Sequence, residues 1–304
     1  MPQQCQVIKA LIPKCELSSG KLRIFKGVFM MKWYGYLGLL LIILAEINFH
    51  YVVQPFADWY IVIIWTGYIL FVDSLVYHIK GKSLISTYPK EILSMVVLSL
   101  PFWLIFEFYN LFTHSWYYVN YIWYVHIFDF ITILPAVMET FTLVRALKLG
   151  TRFDSAKRSI KSKATNSVSV KLLVVLGLIL MLSPITLGPI GVLFMWSGIG
   201  LFLDPLNFII GRASLLQKAS IGIKSTILQT SISGLIMGFF WEFWNYQAYP
   251  QWVYTMPSLI INVKLFAMPI EGYIGYIPFG ITCFLFYAFF RHSLFKNKND
   301  LLAM

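Results

Sequence analysis

The sequence is poor in charge. Asp, Glu, Lys and Arg make up 12% of its 304 residues, while 59% are hydrophobic and mean hydropathy is +0.73. An ordinary soluble domain carries about 25% charged residues. So little charge cannot clothe a water-facing surface, which excludes a soluble enzyme and a disordered chain. It also excludes a nucleic-acid-binding domain, despite a net charge of +11. Cysteine is scarce as well: Cys5, Cys15 and Cys283 offer neither a disulfide framework nor metal-ligand spacing. The chain has no P-loop, Rossmann glycine pattern, nucleophile elbow, zinc-protease helix or paired aspartate-rich prenyltransferase motif. Nothing in it handles nucleotides, and nothing calls for a metal or a cofactor.

What the chain does have is long apolar runs. A helix crossing the hydrocarbon layer needs about 20 mostly apolar residues. Such runs occur at 34–54, 59–79, 91–112, 121–144, 172–188, 190–210, 225–245 and 266–290. They are continuous rather than alternating, which favours helices over a barrel. The expectation is an all-α polytopic transmembrane bundle of about eight spans, with membrane lipids as its immediate partners.

The basic residues orient it. In an eight-span arrangement 23 of the 24 Lys and Arg residues fall on one face, and only Lys264 falls on the other. The positive-inside rule then makes both termini cytoplasmic, in the cell's inner or plasma membrane. Residues 1–32 form a cytoplasmic segment with no apolar core, so not a signal peptide. Met30 and Met31, just before the first span, are alternative starts to Met1.

The chain also repeats itself. Phe71-Val72-Asp73-Ser74-Leu75, leading to Gly81-Lys82-Ser83-Leu84, matches Phe202-Leu203-Asp204-Pro205-Leu206, leading to Gly211-Arg212-Ala213-Ser214-Leu215. Phe106-Glu107-Phe108-Tyr109-Asn110, with Trp116 and Tyr118, matches Trp241-Glu242-Phe243-Trp244-Asn245, with Trp252 and Tyr254. Ile127-Phe128-Asp129 with Pro135 matches Ile270-Glu271-Gly272 with Pro278. The landmarks recur in order at slowly drifting offsets, as small loop insertions produce. The expected organisation is membrane repeat 1 at 33–144, a basic cytoplasmic linker at 145–171, membrane repeat 2 at 172–290 and a cytoplasmic tail at 291–304. An even number of spans per half makes the repeats parallel, with the site between them.

Eight of the 13 acidic residues lie inside the expected spans: Glu46, Asp73, Glu107, Asp129, Glu139, Asp204, Glu242 and Glu271. A carboxylate at the bilayer centre costs about 2.5–3.5 kcal/mol on insertion scales. Most must therefore face the bundle interior, where no span supplies a Lys or Arg to pair with them. Glu242, Glu107, Glu271 and Asp129 form an outer-leaflet layer and are the candidate acid/base residues. Asn110, Asn245, Trp116 and Trp252 beside them, and Asp73 and Asp204 deeper toward the cytoplasm, are candidate substrate-binding residues. Asn and Glu also serve as glue between helices, and an aspartate near a helix end also serves as a cap.

In each half an acid late in one helix is followed by a Trp, then by a helix that opens near a proline and an acid. This pattern resembles the lycopene cyclase domain of membrane carotenoid cyclases, which is likewise duplicated and carries a Pro-Leu/Ile-Glu-Glu signature. The matching residues here are Pro269-Ile270-Glu271-Gly272, with Gly272 in place of the second Glu. The first half has only Asp129, or Pro135 with Glu139. The resemblance implies acid-initiated chemistry on an isoprenoid: a protonated carboxyl donates to an alkene, aromatic faces steady the cation, and a second carboxylate removes a proton. The residues themselves leave three classes open. One is a cyclase-, isomerase- or hydratase-type enzyme acting on a hydrophobic small molecule. The others are a proton- or cation-coupled transporter or channel, and a structural membrane protein without catalysis.

Overall fold

A computed structural model describes residues 31–120, 122–155, 168–246, 248–255 and 263–294. The segment before residue 31, residues 156–167 of the expected linker and the tail beyond 294 lie outside the described residues. The chain is an all-α bundle. Its helices are α1 (Trp33–Tyr51), α2 (Tyr60–Lys80), short α3 (Leu84–Thr87), α4 (Pro89–Thr113), α5 (Trp123–Phe130) and α6 (Ile133–Ala146). There follow α7 (Val168–Leu187), α8 (Val192–Ile209), short α9 (Leu215–Ser220), α10 (Ser225–Asn245) and α11 (Tyr276–Leu294).

Six stretches among the described residues are long and apolar enough to cross a membrane, which makes this an integral membrane protein: Trp33–Tyr51, Tyr60–Lys80, Pro89–Thr113, Trp123–Ala146, Val168–Ile209 and Ile270–Arg291. The 42-residue stretch Val168–Ile209 is folded back at Gly188–Gly191 into α7 and α8. The expected span at 225–245 is a 21-residue helix, α10, but Gln229, Thr230, Ser231 and Ser233 make it more polar than its neighbours.

Two expected spans are interrupted. The run 121–144 breaks between α5 and α6, where Ser99 accepts from the Leu134 N–H and donates to the Phe130 carbonyl. The run 266–290 does not begin as a helix. Met268–Pro269 (β4) pairs with Lys264–Leu265 (β3), residues Ile270–Gly275 make a 3-10 turn, and only Tyr276 opens α11. Pro269 has no N–H to give, and Gly272 and Gly275 weaken a regular helix.

Helices α4, α6, α10 and α11 pack against one another in the centre. The α1–α2 hairpin flanks them through α2 on α6, and the α7–α8 hairpin through α8 on α11. Both hairpins are drawn tight at small residues. A Cβ on Gly38 would sit 2.5 Å from the Gly67 carbonyl oxygen, and one on Gly198 would sit 2.5 Å from the Met181 nitrogen. Close backbone approach of this kind is how apolar helices associate where lipid is as apolar as leucine.

The two halves are stitched together at both ends. Strand β1 (Trp116–Val119) pairs antiparallel with β2 (Gln251–Tyr254), in the register Trp116 with Tyr254 and Tyr118 with Trp252. At the opposite end, Glu91 at the start of α4 meets Arg291 near the end of α11. The Arg291 Nε donates at 3.0 and 2.9 Å and Nη2 at 2.6 Å, with the Tyr287 hydroxyl donating as well. Both residues are buried. This ion pair was not legible as such, since its members stand 200 residues apart.

Asp154, in the loop after α6, ties that loop to α10 by accepting from the Lys224 and Ser225 N–H groups and the Ser225 hydroxyl, each at 2.8 Å. Desolvation would raise its pKa, but these hydrogen bonds outweigh that and hold the carboxyl below the usual range.

Removing one partner of a buried ion pair strands the other charge, which typically costs about 3–5 kcal/mol. Glu91→Leu or Arg291→Met alone should each lower stability in detergent by that order, and the double variant by distinctly less than their sum. Thermal unfolding of the four proteins checks this. Single-variant losses below about 1 kcal/mol would show that the pair does not hold the halves together.

Candidate functional site

Between the halves, at the β1–β2 end, lies a cavity of about 730 Å³. Its walls come from both halves: β1, α4, α5 and the start of α6 on one side, and α8, α10, β2, the 3-10 turn and α11 on the other. The lining is dominated by aromatic and aliphatic side chains. Four indoles run in file across it: Trp116, Trp103, Trp241 and Trp252, with successive ring centroids 6.2, 5.3 and 5.2 Å apart. Offset aromatic contacts of this length are favourable, and indole faces attract positive charge.

Behind the indoles stand the two glutamates at matching positions. Glu107 accepts from Trp103 Nε1 at 2.7 Å, from Trp116 Nε1 at 3.3 Å and from the Tyr118 hydroxyl. Glu242, fully buried, accepts at Oε1 from Tyr254 at 2.7 Å and Tyr276 at 2.5 Å, while Trp252 Nε1 donates to the Tyr254 oxygen at 3.0 Å. Burial, reinforced by the neighbouring glutamate charge, pushes the phenols of Tyr118 and Tyr254 well above their ordinary pKa, so both remain donors at neutral pH. The glutamates thus meet the cavity through tyrosines rather than lining it.

Asn110 and Asn245 hold the strands in place. Asn245 donates to the Trp252 carbonyl at 2.8 Å and accepts from its N–H at 2.9 Å. Asn110 donates to the Trp116 carbonyl at 2.8 Å and accepts from the Ser115 and Trp116 N–H groups at 2.8 and 3.2 Å. With donor and acceptor both committed, each amide is a clamp that aims its Trp and Tyr inward.

The carboxyls that line the cavity are Asp129 and Glu271. Each precedes a helix break: Asp129 ends α5 just before the turn into α6, and Glu271 sits in the 3-10 turn before α11. His126, one turn earlier on α5, places Nδ1 2.8 Å from Asp129 Oδ2. Both are buried, and the imidazole rests 4.8 Å from the Tyr118 ring centroid. The other Asp129 oxygen, Oδ1, is buried without a hydrogen-bond partner among the described residues.

Asp73 and Asp204 do not line this cavity. Asp73 accepts from the Ile85 N–H at 2.8 Å, the Ser83 hydroxyl at 2.8 Å and Tyr34 at 2.6 Å, capping α3. Asp204 accepts from the Leu215 and Leu216 N–H groups at 2.7 and 3.1 Å, capping α9 in the same way. Ser83 and Ser214 complete the two caps by accepting from Ser86 and Gln217. Glu139 lies fully buried beside Asp73 and Thr142.

The site therefore unites Glu107, Glu242, Asp129, Glu271, Trp116 and Trp252 and leaves out Asp73 and Asp204. Sequence reasoning passed over His126 as the partner of Asp129, although their i, i+3 spacing signals it. It also passed over Trp103, whose i, i+4 relation to Glu107 puts both on one helix face. Among the described residues, no three His, Cys, Asp or Glu side chains converge to hold a metal ion. Comparison with known proteins finds no matching family model, no matching curated protein and no matching solved structure.

Removing either amide clamp leaves a buried carbonyl and N–H unpaired, at a cost of about 1–3 kcal/mol. Asn245→Ala and Asn110→Ala should each lower the unfolding temperature and raise the exposure of Trp252 or Trp116 to an aqueous fluorescence quencher. Unchanged quenching would mean that the strands are held by other contacts.

Proposed function

We propose that this protein is a membrane enzyme that moves a proton onto and off an unsaturated apolar lipid or isoprenoid held in the aromatic cavity. Its two halves act as parallel four-span repeats with both termini cytoplasmic. The observation that carries the reading is the joint presence of Asp129 and Glu271, one from each half, on the wall of one indole-lined cavity. An apolar chain is at home there. A carboxyl on that wall is placed to hand a proton to such a chain. The proton adds to an alkene carbon using the π pair, and the cation formed on the neighbouring carbon faces indole rings instead of water. Loss of a proton from an adjacent carbon then restores a double bond, so the change is a redox-neutral isomerisation or ring closure.

Several features support the repeat. The β1–β2 register is the one a two-fold axis between the halves would produce, since Trp116 and Tyr118 match Trp252 and Tyr254. Gly81 and Gly211 end α2 and α8 with positive φ of 70° and 72°, and each is followed by an aspartate-capped short helix. The α2–α6 and α8–α11 packings correspond, as do α4–α6 and α10–α11. The resemblance to the lycopene cyclase domain agrees with this reading through Glu271 and its neighbours.

Transport is the second reading. The interrupted helices at the cavity favour it, since broken spans between repeats often frame ion sites. Against it, Asp73 and Asp204 are spent as helix caps and do not extend the Glu layer into a path.

The test is the lipid and isoprenoid extract of cells with and without the protein, separated by chromatography and mass spectrometry. The wild-type chain should convert at least one isoprenoid or lipid species to an isomer or cyclised product. General acid or base catalysis is worth about 10²–10⁴-fold, so Asp129→Asn and Glu271→Gln should each reduce that conversion at least a hundredfold. Glu242→Gln should reduce it less, because Glu242 acts through Tyr254 and Tyr276. Identical extracts in all cases would overturn the enzyme reading.

A further inference from the structure

The wall of the aromatic cavity is uneven in thickness. Every residue that the first half contributes to it is buried or half-buried. On that side α2 packs directly on α5, where the Trp59 ring meets Phe128 at 5.3 Å and Tyr124 at 6.5 Å. The second half differs. Pro189, Ile190 and Leu193 at the entry to α8, and Ile274 in the 3-10 turn, line the cavity and also face outward. Leu193 is 52% exposed and Ile274 66%.

The late start of α11 leaves a slot between these two stretches. Lower down, α8 and α11 are closely joined. Thr282 donates to the Trp196 carbonyl at 2.9 Å, and the Trp196 and Phe279 rings meet at 5.0 Å. One turn above Phe279, Gly275 presents no side chain to α8. A Cβ on Gly275 would stand 3.9 Å from Trp196 Cδ1, with no other element within 4 Å.

Both sides of the slot are apolar. Leu187 to Trp196 is an unbroken apolar run through the α7–α8 turn, whereas the α1–α2 turn carries Gln54 and Asp58. The backbone of the apolar turn is not left bare, since the Ser183 hydroxyl donates to the Gly191 carbonyl at 3.1 Å. Exposed apolar surface of this kind belongs against acyl chains. Among the described residues no Lys or Arg lines the cavity, so nothing there would hold a phosphate headgroup.

We infer that this slot is the mouth of the cavity, through which an uncharged, membrane-dissolved chain enters sideways from the bilayer. It lies between the start of α8 and the Ile270–Gly275 turn, and it rests on the reading above that the cavity holds an apolar ligand. The turn that carries Ile274 also carries Glu271, so one break in the helix builds both the lip and a candidate acid. The substrate class narrows to molecules that reach the site through hydrocarbon, without crossing water.

The test uses the full-length chain in phosphatidylcholine vesicles that contain a long-chain hydrocarbon bearing a diazirine. Light converts the diazirine to a carbene, which inserts into whatever it touches, and peptide mass spectrometry locates the adducts. Met195 and Phe279 line the cavity but are each only 2% exposed, so adducts on them report chains inside it. Both should be labelled in the wild-type protein, together with the outward-facing Leu40 and Leu44 of α1.

Leu193→Trp combined with Ile274→Trp obstructs the slot from outside. Gly275→Leu fills it from within, at a position that has no positive φ. Each variant should unfold near the wild-type temperature, lose the Met195 and Phe279 adducts and keep those on α1. Wild-type adducts confined to outward-facing residues overturn the inference. So do Met195 and Phe279 adducts that persist undiminished in both folded variants. The lipid extracts decide the enzyme reading separately: identical extracts with and without the protein overturn that reading, while the adduct pattern still decides the mouth.

Discussion

The bundle is governed by one constraint: acids lie within it, while the bases of the described segments, Arg291 apart, cluster around helix ends and loops. Hydrocarbon offers no water to a carboxyl, so each buried acid has to find donors inside the protein. Glu107 and Glu242 find indole and phenol groups, Asp73 and Asp204 find helix N-termini, Asp129 finds an imidazole, and Glu46 finds Trp244 Nε1 at 3.0 Å. The abundance of tryptophan and tyrosine follows in part from this. These side chains are apolar enough to pack at membrane depth, yet each carries a single N–H or O–H to spend on an acid.

That constraint separates two kinds of acid. A capping aspartate is surrounded by backbone N–H groups that belong to a neighbouring short helix, and its position is determined by the chain path around Gly81 or Gly211. A cavity acid sits where a helix has been interrupted, so its surroundings are side chains. The first kind stabilises the fold and has nothing to offer a ligand. The second is exposed to whatever occupies the space between the halves, and the cost of keeping it there is recovered only if something uses it.

How much of this could be read from the sequence varied with the range of the interaction. The apolar helices and the matched Glu-Asn-Trp-Tyr landmarks follow from local composition and spacing, and Glu107, Glu242, Asp129 and Glu271 lie around one cavity. The roles of Asp73 and Asp204 did not follow, because the same Asp-to-Gly-to-Ser spacing suits a cap or a ligand until the turn brings Ser83 or Ser214 into contact. The breaks before α6 and α11 were hidden because Pro135 and Pro278 sit inside otherwise apolar runs, where hydropathy alone sees continuity. The Glu91–Arg291 pair joins the two ends of the fold and leaves no local signature at all.

The β1–β2 ladder has a consequence for assembly. Each strand's ladder partner comes from the other half, so a polypeptide comprising either half alone would present a bare edge rich in aromatic residues. Two copies of such a half could satisfy each other by forming this same ladder, as a homodimer. In the present chain the two strands satisfy each other within one polypeptide.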